Sequence, residues 1–374
     1  MQRKPRDNPA IRTFILRNLD DHPGDIASYT ARRFNISRMT VNRYLDKLLE
    51  DKLISEEGET KARKYKLIDF LNESLTFEIT SETEEHILWR ENIRPLLRDL
   101  SENVLSIYEY GVQEMINNVI DHSESKQCLI NVVQNASFTR VIIRDYGVGI
   151  FEKISKSAGL GDKREAILEL SKGKLTTDPA NHTGEGIFFT SRAVSNFSIM
   201  SGDLTYIHRM ERGDNDWLIE DAKPGDEING TCVFLGMYAW DKRTLEDVFA
   251  KYSSDDAGGV AIFSRTHVPV ALARYHNEQL VSRSQARRVL ARFNRFSEVL
   301  LDFADVPTIG QAFADEIFRV FRRANPNIEL LPIRTNTQVQ SMIDRIMSAP
   351  AAIVPASEQP SLPFEDGGTS QKQA

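Results

Sequence analysis

The sequence predicts a multidomain α/β chain. Three observations carry that expectation. Residues 8–67 hold three helical stretches followed by two short β-prone runs. Residues 110–240 begin with a strongly amphipathic helix and continue as strands punctuated by glycines. Residues 241–348 alternate strand and helix, the pattern of a small α/β unit. A chain of 374 residues has room for all three.

Bulk composition narrows the class. Apolar residues make up 41% and charged residues 27%, as in ordinary globular proteins. No apolar run is long enough to span a bilayer, and the basic, polar N-terminus lacks the apolar core of a signal peptide. A cytoplasmic location without membrane contact is therefore expected. Cys128 and Cys232, both in predicted strands, are read as small core residues of a reducing compartment. The net charge of −7 hides an asymmetry. Residues 1–67 carry 15 Lys and Arg against 10 Asp and Glu, so the head is basic and the remainder strongly acidic. A basic head on an acidic chain suits a polyanionic partner.

In the head, Ile11, Phe14, Ile15 and Leu19 place a first helix over 8–22, ended by His22-Pro23-Gly24. Asp25 is positioned to cap a second helix that runs to Phe34. Asn35-Ile36-Ser37 makes the turn, and Ser37 is a favourable N-cap for a third helix burying Val41, Tyr44, Leu45, Leu48 and Leu49. Its outer face offers Arg38, Met39, Thr40, Asn42, Arg43 and Lys47. Two short strands, Leu53-Ile54-Ser55 and Lys64-Tyr65-Lys66-Leu67, flank residues 56–63. This order resembles the bacterial winged helix-turn-helix, with residues 1–67 as that domain. The resemblance implies DNA binding. Arg38, Thr40, Asn42, Arg43 and Lys47 would face the major groove, and Lys61, Arg63 and Lys64 would meet phosphates from the wing. Glu56, Glu57 and Glu59 oppose that contact, and docking to a protein is the alternative.

Residues 68–109 are expected to be a helical connector, broken at Pro95, that could join two copies of the chain. His86 raises the question of a phosphorylatable histidine, but Ile87 follows it where that motif carries an acid.

The next helix contains Glu114, Asn118 and Asp121 at i, i+4 and i+7, opposite the apolar stripe Val112, Met115, Ile116, Val119 and Ile120. Asn and Asp are poor choices for a merely solvated helix face. Two carboxylates and an amide oxygen there suit a hydrated Mg²⁺ and activation of a water. Asp145-Tyr146-Gly147-Val148-Gly149 ends a predicted strand. Thr183-Gly184-Glu185-Gly186 opens an apolar helix, where glycines let backbone N–H groups approach phosphates. Asn229-Gly230-Thr231 opens a last strand.

In this order the four stretches resemble the boxes of the GHKL ATPases, the superfamily of gyrase B, Hsp90, histidine kinases and MutL, over roughly residues 80–236. The resemblance implies a Bergerat-type α/β sandwich over 110–240 that binds ATP and Mg²⁺. Asn118 would coordinate the magnesium, and Glu114 would be the catalytic base. Asp121 and His122 on the same helix would join Asn118 in binding the cofactor. Asp145 would accept from the adenine amine beside Thr231. Gly147 and Gly149 would shape the adenine pocket, and Gly184 and Gly186 would let a lid pass the phosphates. The polar stretch 150–183 has the composition of that lid. No phosphate-clamping motif stands out; Lys172, Lys174 and Arg192 are candidates.

Over 241–348, strands near 260–263, 299–303 and 328–333 alternate with helices near 284–293, 308–322 and 335–347. The segment 299–318 resembles STAS domains and, more closely, the STAS-like DUF4325 domain found beside GHKL ATPases. Where STAS antagonists carry a phosphorylatable serine, Gly310-Gln311-Ala312 stands instead. Arg283, Arg287 and Arg288 cluster in the first turns of a helix, where cations oppose the dipole, so an anionic partner is one reading. Residues 349–374 are expected to be a disordered tail.

Together these readings predict a DNA-binding regulator gated by Mg-ATP, with a regulatory protein and a second copy of the chain as further partners. The alternatives are an anti-sigma-like serine or histidine kinase and a non-enzymatic ATP-dependent adaptor.

Overall fold

The computed structural model describes residues 8–59, 62–175, 183–210, 216–223, 225, 227–255, 261–274 and 278–348. Lys61 of the expected wing, residues 176–182 of the expected lid and the expected tail 349–374 lie outside them.

The head contains α1 (Pro9–Asn18), α2 (Ile26–Phe34) and α3 (Arg38–Glu50), then the antiparallel pair β1 (Ile54–Glu57) and β2 (Lys64–Leu67). Pro9 opens α1 where its missing N–H costs nothing, and Asn8 Oδ1 accepts from Ala10 N at 3.0 Å. The α1 helix stops at Asn18, short of the expected 22. Ser37 caps α3 as expected, its Oγ accepting from Thr40 N at 3.1 Å. Asp25 stands at the N-cap position of α2, but its carboxylate makes no capping bond and lies 3.0 Å from His22 Nδ1 instead. The head has its own core of Ile11, Ile15, Leu19, Ile26, Val41, Leu45, Leu48 and Ile54.

The connector departs from expectation. It begins as β3 (Asp69–Glu78), not as helix. Leu71, Leu75, Phe77 and Ile79 pack on the core from odd positions, a period of two that the helical run further on obscures. Helix resumes in α4 (Glu85–Leu88), a π turn (Trp89–Ile93) and a 3₁₀ turn (Arg94–Leu97) containing Pro95. The long α5 (Glu102–His122) follows.

The middle of the chain continues with β4 (Gln127–Asn135), β5 (Phe138–Asp145), α6 (Ile150–Ala158), α7 (Lys163–Lys172) and α8 (Gly186–Ala193), then β6 (Asn196–Gly202), β7 (Leu204–Arg209), β8 (Asp216–Asp221) and β9 (Ile228–Tyr238). One seven-stranded antiparallel sheet runs β3-β4-β5-β9-β6-β7-β8. The polar stretch 150–183, expected as a lid, is largely packed helix. It contains α6 and α7, and every residue from Ala166 to Lys172 is buried. Its charges find partners inside the protein, so polar composition conceals a packed element.

The last part contains α9 (Leu245–Tyr252), the hairpin β10 (Ser253–Asp255) and β11 (Ala261–Phe263), β12 (Arg265–Pro269), α10 (Arg283–Leu290) and β13 (Glu298–Asp302). Then α11 (Gln311–Asp315) runs through a π turn (Glu316–Phe321) into α12 (Arg322–Ala324), followed by β14 (Glu329–Ile333) and α13 (Thr337–Ser348). β12, β13 and β14 form a parallel sheet. Its core is continuous with that of the seven-stranded sheet. The basic cluster of α10 needs no outside anion: Arg283 pairs with Asp315 at 3.3 Å, Arg287 with Glu316 at 2.7 Å, and Arg288 with Glu165 at 3.5 Å.

Candidate functional site

Strand parity decides which side chains meet. On β5, Thr139, Val141, Ile143 and Asp145 are buried and the residues between them half-exposed. Asp145 therefore ends the inward row, in line with Ile143. Thr231 and Val233 enter from β9, and Ile199 from β6. Helix α5 packs across β5 and β9. Between them lies a cavity of roughly 300 Å³.

One end of the cavity is a carboxylate in apolar surroundings. Asp145 is only 4% exposed, with Ile143, Met115, Ile199 and Val233 also lining the space. Its Oδ1 accepts from Gly147 N at 2.9 Å and Thr231 N at 3.2 Å. Thr231 Oγ1 in turn accepts from Ile150 N at 3.0 Å, which fixes the start of α6. Burial raises the Asp145 pKa, and the hydrogen bonds from Gly147 and Thr231 oppose that rise only in part.

The other end is polar and comes from α5. Glu114, Asn118 and His122 line it at i, i+4 and i+8. Asp121 is exposed and off the cavity, because the groove follows the four-residue row rather than the seven-residue one. Gly149, Gly184 and Gly186 also line the space. Gly147 does not. A Cβ there would fall 1.8 Å from Ser123 O, so it lets the turn after β5 close against the end of α5.

Sequence reasoning missed Asn117 and Lys153, and quoted Thr183 and Glu185 within a motif without giving them a role. Lys153 is the one Lys or Arg in the described lining, and its Nζ donates to His122 O at 2.6 Å. The signal was its place one helical turn after Gly149. Burial raises the Glu185 pKa, with Lys174 acting the other way. The candidates Lys172, Lys174 and Arg192 are absent from the wall. Arg192 is buried, and its Nη2 donates to Ser171 O at 2.8 Å and His267 O at 3.1 Å.

On the head, Arg38, Asn42, Arg43 and Lys47 are exposed along α3 beside Met39, which is 70% exposed. Thr40 is half-buried, its Oγ1 lying 2.9 Å from Ser37 Oγ. Arg63 and Lys64 are exposed on the hairpin, where Arg63 pairs with Glu56 at 3.2 Å. His86 is exposed, 3.4 Å from Glu84.

Comparison with known proteins adds two findings. Residues 285–340 match the STAS-like domain of unknown function, DUF4325. The chain is also 28% identical over 145 residues to the sensor histidine kinase YvfT of Bacillus subtilis (strain 168). That likeness covers 35% of this chain and 38% of the kinase. Among the described residues, no helix is long and apolar enough to cross a membrane.

Proposed function

We propose that the cavity binds an adenine nucleotide and that the protein is a regulator gated by Mg-ATP. The observation that carries this reading is the buried Asp145 carboxylate at the apolar end of a cavity whose opposite end presents Glu114 and Asn118. A buried acceptor of raised pKa calls for a donor, and an adenine amine supplies one. The antiparallel sheet under α5 and the likeness to a sensor histidine kinase support the Bergerat-type, GHKL assignment.

Lys153 and the backbone N–H groups near Gly184 and Gly186 are the phosphate contacts of this reading. No group of three or more His, Cys, Asp or Glu that could hold a metal is found among the described residues. Magnesium fits all the same, because it keeps waters and substrate phosphates as ligands and needs few from protein. Asn118 supplies the side-chain oxygen. When bound, the ion neutralises phosphate charge. Glu114 takes the proton of the attacking water, and Leu170, Leu175 and Phe188 keep bulk water from that wall.

The head is proposed to be a winged helix that binds DNA through α3, with Arg63 and Lys64 on the hairpin. The exposed Arg38, Asn42, Arg43 and Lys47 support this. Calorimetry with ATP, ADP and AMP on the wild type and Asp145→Asn tests the site. Heat from the wild type alone is the expected result; no heat from either removes the reading.

The likeness to a sensor histidine kinase favours a second reading, phosphoryl transfer to a protein. Incubation with γ-labelled ATP separates the two. Label retained on His86 or on a partner serine favours the kinase. Phosphate release without labelled protein favours the gate, and binding without turnover favours an adaptor.

A further inference from the structure

The stretch 172–174, which leads into the cavity wall, is held from both sides by the C-terminal unit. Three consecutive main-chain carbonyls each accept from a side chain of that unit. Lys172 O accepts from Thr266 Oγ1 at 2.7 Å, Gly173 O from Arg292 Nη2 at 2.5 Å, and Lys174 O from Arg295 Nη1 at 2.5 Å. The side chains reciprocate. Lys172 Nζ donates to Arg288 O at 2.9 Å and Ala291 O at 3.1 Å, and Lys174 Nζ to Arg295 O at 3.0 Å. Glu169 completes the set, taking Lys172 at 2.6 Å and Arg292 at 2.8 Å.

This is more than a surface contact. Lys172 is 0% exposed, so its ammonium exists there only because those partners replace water. Lys174 and Arg292 both hold left-handed backbone, at φ 52° and φ 64°, which few non-glycine residues adopt. Leu170 lies before the held stretch and Leu175 directly after it, and both line the cavity. Leu175 N also donates to Gly184 O at 3.2 Å, so the clamp reaches the glycine segment as well.

We propose that Arg292 and Arg295 of the STAS-like domain are positioning residues for the nucleotide cavity. Through the carbonyls of Gly173 and Lys174 they set where Leu175 and Gly184 stand. Cavity occupancy and docking of the STAS-like domain are then linked, each strengthening the other by the same factor. The inference rests on the nucleotide reading above.

The test measures two quantities on the full chain. Arg292→Ala and Arg295→Ala should each weaken binding of a fluorescent ADP analogue on the order of tenfold, with Arg292→Lys losing less. In the wild type, saturating Mg-ATP should slow amide exchange at 288–296, which lines no part of the cavity, relative to 41–48 in the separate head core. This measurement needs no variant to fold. If nucleotide binds and 288–296 exchanges no more slowly relative to 41–48, the linkage is wrong and the nucleotide site stands. If the wild type binds no adenine nucleotide, both fall.

Discussion

The Glu114 carboxylate fills the space that a side chain at position 186 would need: a Cβ there would fall 2.0 Å from Glu114 Oε2. Glycine at 186 is thus a condition for the Glu114 carboxylate to stand at the cavity. Gly186→Ala is expected to displace Glu114 and to abolish nucleotide hydrolysis or transfer. Gly161→Ala, where a Cβ meets nothing within 4 Å, should change stability by less than about 0.5 kcal/mol. Turnover and melting temperature, measured on both variants, check the pair.

Asp145 separates binding from stability. Its raised pKa means the folded protein holds that proton more tightly than the unfolded chain. This group's contribution to stability therefore falls as pH rises from the ordinary carboxylate value through the raised one. Asp145→Asn removes the buried charge and keeps an oxygen to accept from Gly147 and Thr231. The expected outcome is a melting temperature at pH 7 that is unchanged or higher, together with lost ATP binding. For the wild type, affinity should rise with pH through the same window, since the ligand's donor needs the ionised form.

Asp302 behaves in the opposite sense. It is buried between His267, whose Nε2 lies 2.6 Å away, and Arg334, whose Nε donates at 2.8 Å. Burial alone would raise its pKa, but the hydrogen bonds from His267 and Arg334 bring it down to about 2. Its stabilisation is complete above the ordinary value of 3.8 and is lost as pH falls through 2. Asp302→Ala should cost about 1–3 kcal/mol at pH 7 by removing the acceptor of the buried His267 ring and leaving the partly exposed Arg334 short of its carboxylate, and should flatten the acid limb of the urea-midpoint curve below pH 4.

The head gives a salt-dependent prediction. Arg43→Ala should weaken duplex DNA binding on any sequence and lower the salt slope by about 1. Arg63→Ala should do less, because Glu56 already engages that guanidinium. Anisotropy titrations at several salt concentrations decide the matter. No DNA binding by the wild type would make the head a protein-docking module.

Both thiols should be inert in the native state. Burial pushes the Cys128 pKa up to about 12 and raises that of Cys232. Ellman's reagent should find no reactive thiol in native protein and two after unfolding in denaturant. A fast-reacting thiol in native protein would show that one of these strands opens locally.

The sequence by itself determined the local elements and the order of the motifs. Ser37 capping α3, Pro95 breaking a helix, and the row Glu114 and Asn118 are facts of period and propensity, which act over a few residues. It misjudged β3 and α7, because an alternating edge strand with Glu73 in its apolar row and a buried helix bearing Glu169 and Lys172 look polar until their partners are known. Only the tertiary structure decided that Asp121 leaves the cavity, that Lys153 enters it, and that Lys172 serves the domain junction rather than the cavity wall. Those outcomes depend on where a helix face is rotated and on which distant carbonyl accepts a hydrogen bond, and residues 31 to 119 positions apart in sequence make those bonds.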